Sequence, residues 1–581
     1  MSWSPLAKLR WVVIAGVAVA ALVASAAVAE VHPSALLDPA SRAALRTFVL
    51  GLFPPDVSRA FLATVVVAAA RTVAIATIGT MLAVALALPL GILATATLFR
   101  RGPLADRERR SATGMVLASL SGLARVILGL LRAVPDLVWA LVFVVGVGLG
   151  PAAGVLALAV AYGGVLGRVL ADVFEDVDPR PLEALLATGA TRMQIFVFGI
   201  WPQARSSAIA YTLYSFECCV RAAVVLGLVG AGGIGYEIAL SMRMFEYGQI
   251  VTLVVALLIL VWLGDACSSA LRRALRANVP PGALGYQALR AGAPRVAITM
   301  AALVVSVGFV VACTYSIGLF DRELFGAPTV IRMARYVGAL FPPELDPAYL
   351  QTLLRPVAQT LGVSVIGTSL GVVLGVVLGI PATAAHAEDD RSRGLAWLAR
   401  GALRRLCRTI LSFLRAIPDV LWALIFIVVV GLGPFAGALA LGVHTGGVLG
   451  KLCADTLEEV SPLPLRGLRA TGATPLQILV WGAWPEARRM LVSYTVLRWE
   501  VNLRASTVVG LAGGGGIGLE LYNSVQLGFY PRVATLILVV GLMVTVTGWI
   551  GDRIRRRLAP AGLQVCRPSL PQPGARPALT A

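Results

Sequence analysis

The sequence predicts an all-α polytopic membrane protein with about twelve transmembrane helices, arranged as two parallel six-helix repeats. Three observations carry that prediction. Of 581 residues, 58% are hydrophobic and 14% are charged, and the mean hydropathy is +0.85. A soluble chain of this length would need far more polar surface to cover itself. Apolar runs of about 20 residues, enough to cross a bilayer, recur along the chain. A set of Pro, Gly, Arg and Asp positions also recurs at a nearly constant offset. A β-barrel would instead show short alternating segments.

In the first half, helices are expected near 11–29, 70–97, 123–147, 152–171, 203–227 and 248–271. In the second they are expected near 296–319, 357–384, 406–430, 435–454, 486–510 and 531–553. The first run follows Lys8 and Arg10 and ends in Ala27-Val28-Ala29, which has the outline of a cleavable leader. A matching run, Val296 to Leu319, opens the second half, where no leader can stand, so Trp11–Ala29 is read as a retained helix. The expected organisation is a first repeat over 1–278, a cytoplasmic linker over 279–295, a second repeat over 296–558 and a disordered cytoplasmic tail over 559–581.

The duplication is read directly. Arg132-Ala-Val-Pro-Asp-Leu-Val-Trp-Ala-Leu returns 283 residues later as Arg415-Ala-Ile-Pro-Asp-Val-Leu-Trp-Ala-Leu. At the same offset, Gly163-Gly-Val-Leu-Gly, Ala187-Thr-Gly-Ala-Thr and Trp201-Pro-Gln-Ala-Arg find their partners, as does Gly227-Leu-Val-Gly-Ala-Gly-Gly-Ile-Gly. Upstream the offset is 288, from Phe53-Pro-Pro to Phe341-Pro-Pro. Shared apolar composition alone would not keep these Pro, Gly, Arg and Asp positions.

The net charge of +19 suggests nucleic acid in a soluble chain, but here the arginines fall between apolar runs. With both termini cytoplasmic, Arg100, Arg101, Arg107, Arg109 and Arg110 lie inside, as do Arg272, Arg273 and Arg276. So do Arg391, Arg393, Arg400, Arg404, Arg405 and Arg408, and the terminal group Arg553, Arg555, Arg556 and Arg557. This is the positive-inside bias, and the opposite orientation reverses every cluster. An even number of helices per half makes the repeats parallel rather than inverted.

Several chemistries are excluded. The seven cysteines form no Cys-x-x-Cys pair, and His32, His386 and His444 are dispersed, so neither a disulfide framework nor a metal site is expected. Gly230-x-Gly232-x-x-Gly235 follows no strand and is read as a tight turn at the outer end of a helix, not as a dinucleotide site. Gly232, Gly235, Gly515 and Gly518 are therefore expected in structural turns. No Walker A lysine motif occurs, so no ATP hydrolysis is expected from this chain.

Between the fourth and fifth helices of the first half runs a polar segment from Asp178-Pro-Arg-Pro-Leu-Glu to Trp201-Pro202. Pro179 and Pro181 suit a helix start, Glu183 is placed in the first turn, and Thr188-Gly189 supplies the stop. A short helix, a glycine turn and a second amphipathic piece make a protrusion suited to a partner's groove. Glu183, Ala184, Gly189 and Pro202 resemble the Glu-Ala-Ala…Gly…Pro loop of ABC importer permeases. In the second copy Arg466 replaces the glutamate, while Gly472 and Pro485 stay. Together with Arg-Ala-[Val/Ile]-Pro-Asp-x-x-Trp-Ala-Leu, Gly-Leu-Gly-Pro, Gly-Gly-Val-Leu-Gly and Gly-x-Gly-Gly-Ile-Gly, the pattern resembles the phosphonate ABC transporter permease over nearly all of each half.

That resemblance implies a permease of the cytoplasmic (inner) membrane whose loops couple to a dimer of ATP-binding subunits. ATP and Mg would be held there, with no cofactor on this chain. An extracytoplasmic binding protein would deliver phosphonate or a related oxyanion, since the loops here are too short to form such a domain. One fused chain would replace the usual pair of permeases, surrounded by lipid and without nucleic acid. The alternative is an ion-driven carrier with two parallel repeats, which needs acidic ion sites in several helices.

Charges within membrane helices are costly and are candidates for function. Glu217 and Arg221 sit i, i+4 in the fifth helix, and Glu500 and Arg504 repeat them. They read either as self-satisfied ion pairs or as pathway residues whose guanidinium forks attract phosphoryl oxygens. Arg132 and Asp136, like Arg415 and Asp419, flank Pro135 and Pro418, where a kink and structural pairing are expected. Arg71 aligns with Gln359 and receives no role.

Overall fold

The computed structural model describes residues 16, 19–36, 38–99, 112–277, 307–318, 326–383 and 395–558. The expected linker at 279–295, the tail at 559–581, the arginines at 100–110, Arg391 and Arg393 lie outside the described residues. Among the described residues there is no β-strand.

The first repeat runs α1 (Val19–Val28), α2 (Pro39–Gly51), α3 (Arg59–Ala94), α4 (Ala96–Phe99), α5 (Ala112–Ala133), α6 (Asp136–Val147) and α7 (Pro151–Glu175). It continues with α8 (Pro179–Ala187), α9 (Arg192–Ile195), α10 (Trp201–Leu226), α11 (Gly233–Arg243) and α12 (Tyr247–Ala277). The second repeat follows the same order. Its first members are α13 (Val307–Ile317), α14 (Ala327–Ala339), α15 (Pro347–Thr352), α16 (Leu354–Ala382), α17 (Leu395–Ala416) and α18 (Asp419–Val430). Its last are α19 (Pro434–Glu458), α20 (Pro462–Ala470), α21 (Pro475–Gln477), α22 (Trp484–Val509), α23 (Gly516–Gln526) and α24 (Tyr530–Leu558).

Among the described residues, helical segments fall within all twelve expected positions, and eight helices are long and apolar enough to cross a membrane, or nine if the bent α17–α18 pair is one span. α22 falls outside this set because Glu486, Arg488, Arg489, Arg498, Glu500 and Arg504 lower its hydropathy. α3 has 36 residues, about 54 Å at 1.5 Å per residue, well beyond a hydrocarbon core of about 30 Å.

The kink expected at the proline of each third helix is a full break, with a separate helix on either side of it. Pro135 takes an extended ψ of 148° and becomes the N-cap of α6. Pro418 does the same for α18, with ψ 147°, and α17 and α18 meet at 92°. Proline has no N–H to give the preceding turn and its ring clashes with it, so the apolar run breaks where periodicity alone continues it.

Two compact units emerge. The first comprises residues 1–366, 416–441 and 504–541. Here elements of both repeats interlock: α6 packs on α14, and α18 packs on α2. The second contact is the first with the repeats exchanged, the reciprocity of a two-fold interface. Ile417 and Leu421 are buried against Val65, Ala68, Val224, Ile234, Leu253 and Leu257. Close approach of α3 and α7 depends on small residues: a Cβ on Gly79 would stand 2.8 Å from Leu158 Cβ, and one on Gly91 3.0 Å from the Gly167 carbonyl.

The second unit comprises residues 367–415, 442–503 and 542–581. Its helices meet on the same device, since a Cβ on Gly375 would lie 2.9 Å from the Gly450 nitrogen. A buried polar group joins it: Thr445 Oγ1 donates to Asn502 Oδ1 at 3.0 Å, and Asn502 Nδ2 donates to Thr368 Oγ1 at 2.9 Å.

Candidate coupling site

In the first unit, α8 begins where Asp178 Oδ1 accepts from the Arg180 N–H at 3.0 Å, with Pro179 as its first residue. Glu183 is therefore the fifth residue, in the second turn; the first-turn placement is corrected, because Pro179 and not Pro181 opens the helix. The helix stops at Gly189, whose φ of +81° suits a residue without a Cβ. Its N–H donates to the Leu186 carbonyl at 3.0 Å, and the Ala190 N–H reaches Leu185 at 3.2 Å. Thr191 and Gln194 then form a reciprocal capping box that starts α9. A π-helical turn, Phe196–Ile200, leads into α10, where Pro202 occupies the first turn.

α8 has one apolar side. Leu182, Leu185 and Leu186 pack on the buried Phe174, Ile195, Phe196 and Ile200. Phe174 and Phe196 meet edge to face at 5.2 Å. Gly199 leaves room for Leu182, whose Cδ2 would lie 2.6 Å from a Cβ there. Glu183 and Ala184 remain exposed on the other side. The sequence thus makes a helix seated on the end of α7 and the turn that leads into α10, with Arg180 and Glu183 exposed on its outer side.

The second unit repeats the arrangement. Leu465 is buried with Leu457, Ile478, Leu479 and Ala483, with Leu468 packed beside them. A Cβ on Gly482 would lie 2.7 Å from Leu465 Cδ2 and 2.8 Å from Leu468 Cδ1. Gly472 ends α20 with φ +80°. The Thr474 N–H donates to Gln477 Oε1 at 2.8 Å, and Pro485 occupies the first turn of α22. Arg466 is exposed where the first copy presents Glu183. The seat is retained, and at this one position the charge changes sign.

Sequence reasoning missed a pair of residues at the root of each loop. Glu175 is the last residue of α7, next to Phe174, and forms an ion pair with Arg125 of α5. Arg125 Nε donates to the Ala94 carbonyl of α3 at 2.7 Å, and Glu175 Oε1 accepts from the Ala96 N–H at 2.8 Å. In the second unit Arg408 pairs with Glu458, and its Nε donates to Ala382 at 2.9 Å. The signal was available: Arg and Glu both recur at the offset of 283, although each looked like an ordinary boundary charge.

The other candidates are distributed. Arg221 is surrounded electrostatically by Tyr162, Tyr214, Cys218 and Asp265, all in the first unit. Asp136 accepts from the Leu137 N–H at 2.9 Å and lies within electrostatic reach of Asp419 and Arg504. Among the described residues this backbone contact stands in place of the expected pairing with Arg132. Asp419 likewise accepts from the Val420 N–H at 3.0 Å. Glu500 lies 3.8 Å from Arg555, and Glu217 is part of the described α10. The glycine turns are backbone-packed: Gly232 and Gly515 have φ of 82° and 74°. A Cβ on Gly235 or Gly518 would run into the carbonyl of Val224 or Thr507. No group of His, Cys, Asp and Glu that could hold a metal ion occurs among the described residues.

The structure is thus a duplicated helical module, rich in helices long and apolar enough to cross a membrane, with a seated, glycine-stopped loop in each copy. Residues 111–279 and 394–561 each match the family of binding-protein-dependent transport system inner membrane components, and the chain belongs to that family. The phosphate-import permease protein PhnE of Mycolicibacterium smegmatis is 29% identical over 92% of this chain and 93% of its own length. The phosphite transport system permease protein PtxC of Stutzerimonas stutzeri is 34% identical over 42% of this chain and 84% of its own. The putative cryptic phosphonate transport system permease protein PhnE2 of Escherichia coli is 36% identical over 20% of this chain and 97% of its own. The first of these is similar across both repeats, whereas each of the other two spans less than half of this chain.

Proposed function

We propose that this chain is the complete membrane pathway of an ABC importer for phosphonates or related phosphorus oxyanions. The observation that carries the reading is the pair of seated loops, α8–Gly189–α10 and α20–Gly472–α22, in one polypeptide. Each presents a short helix whose apolar side is committed to its own unit and whose outer face is open to a partner. That partner is a dimer of ATP-binding subunits, which supplies ATP and Mg; this chain binds neither. Closure of the dimer pushes on the two loops, and the repeats rearrange to open the path to the other side. The termini and the arginine clusters lie on the cytoplasmic side of the inner membrane.

Substrate choice belongs largely to a separate extracytoplasmic binding protein. The support for phosphorus oxyanions is the likeness to relatives bearing phosphate, phosphite and phosphonate names. Within the chain, Arg221 and Arg504 supply guanidinium groups suited to a passing oxyanion. The test is reconstitution with the ATP-binding subunit and binding protein in liposomes. Uptake of phosphate, phosphite or methylphosphonate that requires ATP and both loops supports the reading. Uptake driven by an ion gradient without the ATPase overturns it.

A further inference from the structure

We infer that the pairs Arg125–Glu175 and Arg408–Glu458 are transmission clamps, which pass displacement of each loop to the helices behind it. The inference rests on the importer reading. It starts from the position of Glu175, adjacent in sequence to Phe174, whose ring is buried under the loop residues Leu182 and Phe196. A push on α8 therefore reaches the end of α7 through packed side chains. At that end Glu175 holds Arg125 on α5, and Arg125 holds the Ala94 carbonyl on α3. The same carboxylate oxygen accepts from the Ala96 N–H, at the break between α3 and α4. One arginine and one carboxylate thus join three helices at the loop end of the module.

Beneath the clamp lies a small buried cluster, Ala94, Ala124, Leu128 and Ala171. The second unit carries the corresponding set, Ala382, Cys407, Leu411 and Ala454, beneath Arg408 and Glu458. Small side chains allow the helices to approach closely but give little directional hold. The direction comes from the guanidinium, whose fork reaches a carboxylate with one nitrogen and a carbonyl with another. The duplicated sequence has diverged between Glu183 and Arg466 on the docking face, yet both clamps keep their arginine, their carboxylate and the carbonyl they hold. The outward face differs between the copies, and the machinery behind it is shared. These are positioning residues, acting through the loop and not on the substrate.

The experiment measures ATP hydrolysis and uptake side by side. The full chain, its ATP-binding subunit and its binding protein are reconstituted in liposomes, with radiolabelled phosphate, phosphite and methylphosphonate as probes. E175Q keeps the shape and removes the charge; R125K keeps the charge and removes the fork. The expected result is uptake per ATP hydrolysed reduced about tenfold, within the usual span of coupling effects. ATPase binding on copurification and basal hydrolysis stay near the wild-type values. E458Q and R408K are expected to do the same. The exchange Arg125→Glu with Glu175→Arg restores no more than part of the ratio, because glutamate cannot donate to the Ala94 carbonyl. Uptake and hydrolysis falling in equal proportion, or an unchanged ratio, overturns the clamp. Loss of the assembled complex in E175Q and R125K alike makes the pair purely structural and also overturns it. A wild-type complex with no ATP-dependent uptake of any of the three probes overturns the importer reading itself, a result distinct from a transporting wild type with fully coupled variants.

Discussion

Gly146 of the first repeat lies directly beneath the side chain of Met333 of the second, with Met333 Sδ 2.6 Å from the position a Cβ would take. The contact ties α6 to α14 within the first unit. Gly146→Leu should overpack it and lower stability by about 1–3 kcal/mol, read as a lower unfolding temperature in detergent. Gly146→Ala with Met333→Ala should cost less than the sum of the singles, since the alanine occupies space the methionine vacates. Additive losses would mean that the two residues do not share this contact.

Thr72 Oγ1 accepts from the Ile234 N–H at 2.9 Å, and Thr360 Oγ1 accepts from Ile517 at 2.9 Å. Each holds the start of a helix that follows a glycine turn, where a backbone donor has no partner within its own helix. Thr72→Val should cost about 1–3 kcal/mol by leaving that N–H buried and unsatisfied. Thr360→Val should match it. A loss confined to one repeat would show that the turns are not equivalent.

Gly235→Ala and Gly518→Ala should be among the most damaging single substitutions. The added methyl meets the carbonyl of Val224 or Thr507, which is backbone and cannot turn aside. About 3 kcal/mol or more is expected, seen as loss of folded protein in the membrane fraction. Gly264→Ala, with open space around it, is the control and should express normally.

Asn502→Ala should weaken the second unit by about 0.5–2 kcal/mol, the range for polar contacts between membrane helices. It removes both the acceptor of Thr445 and the donor to Thr368. The aligned position in the first repeat is Cys219, which is also buried. Cys219→Ala should therefore have a smaller effect, and equal thermal shifts would argue against the network.

Glu183→Arg and Arg466→Glu should impair ATPase coupling unequally. Both side chains are exposed, so each swap is expected to change binding-protein-stimulated ATP hydrolysis by about two- to fivefold, the scale of exposed ion pairs. Equal losses would remove the idea that the two loops divide the labour.

Much of this protein was legible in the sequence. The helices, their duplication and the loops follow from local rules: apolar length, proline and glycine placement, and a constant offset of 283 residues. Proline placement marked the bends at Pro135 and Pro418, but only the structure shows that each is a break between two helices. It also placed Glu183 one turn too early, since Pro179 and Pro181 both qualify as helix starts and only the cap from Asp178 decides between them.

The pairings belong to tertiary structure alone. Arg125 and Glu175 stand 50 residues apart, and nothing local separates them from the many other charges at helix ends. Gly146 and Met333 come from different repeats, and their contact exists because α6 and α14 are packed against each other. Sequence by itself determined the module, its copy number and the loop that each copy carries, because these rest on backbone propensity and hydrophobic length. Which charges meet, and which small residues let helices close, was decided by the three-dimensional packing, where contact depends on direction and distance rather than on order along the chain.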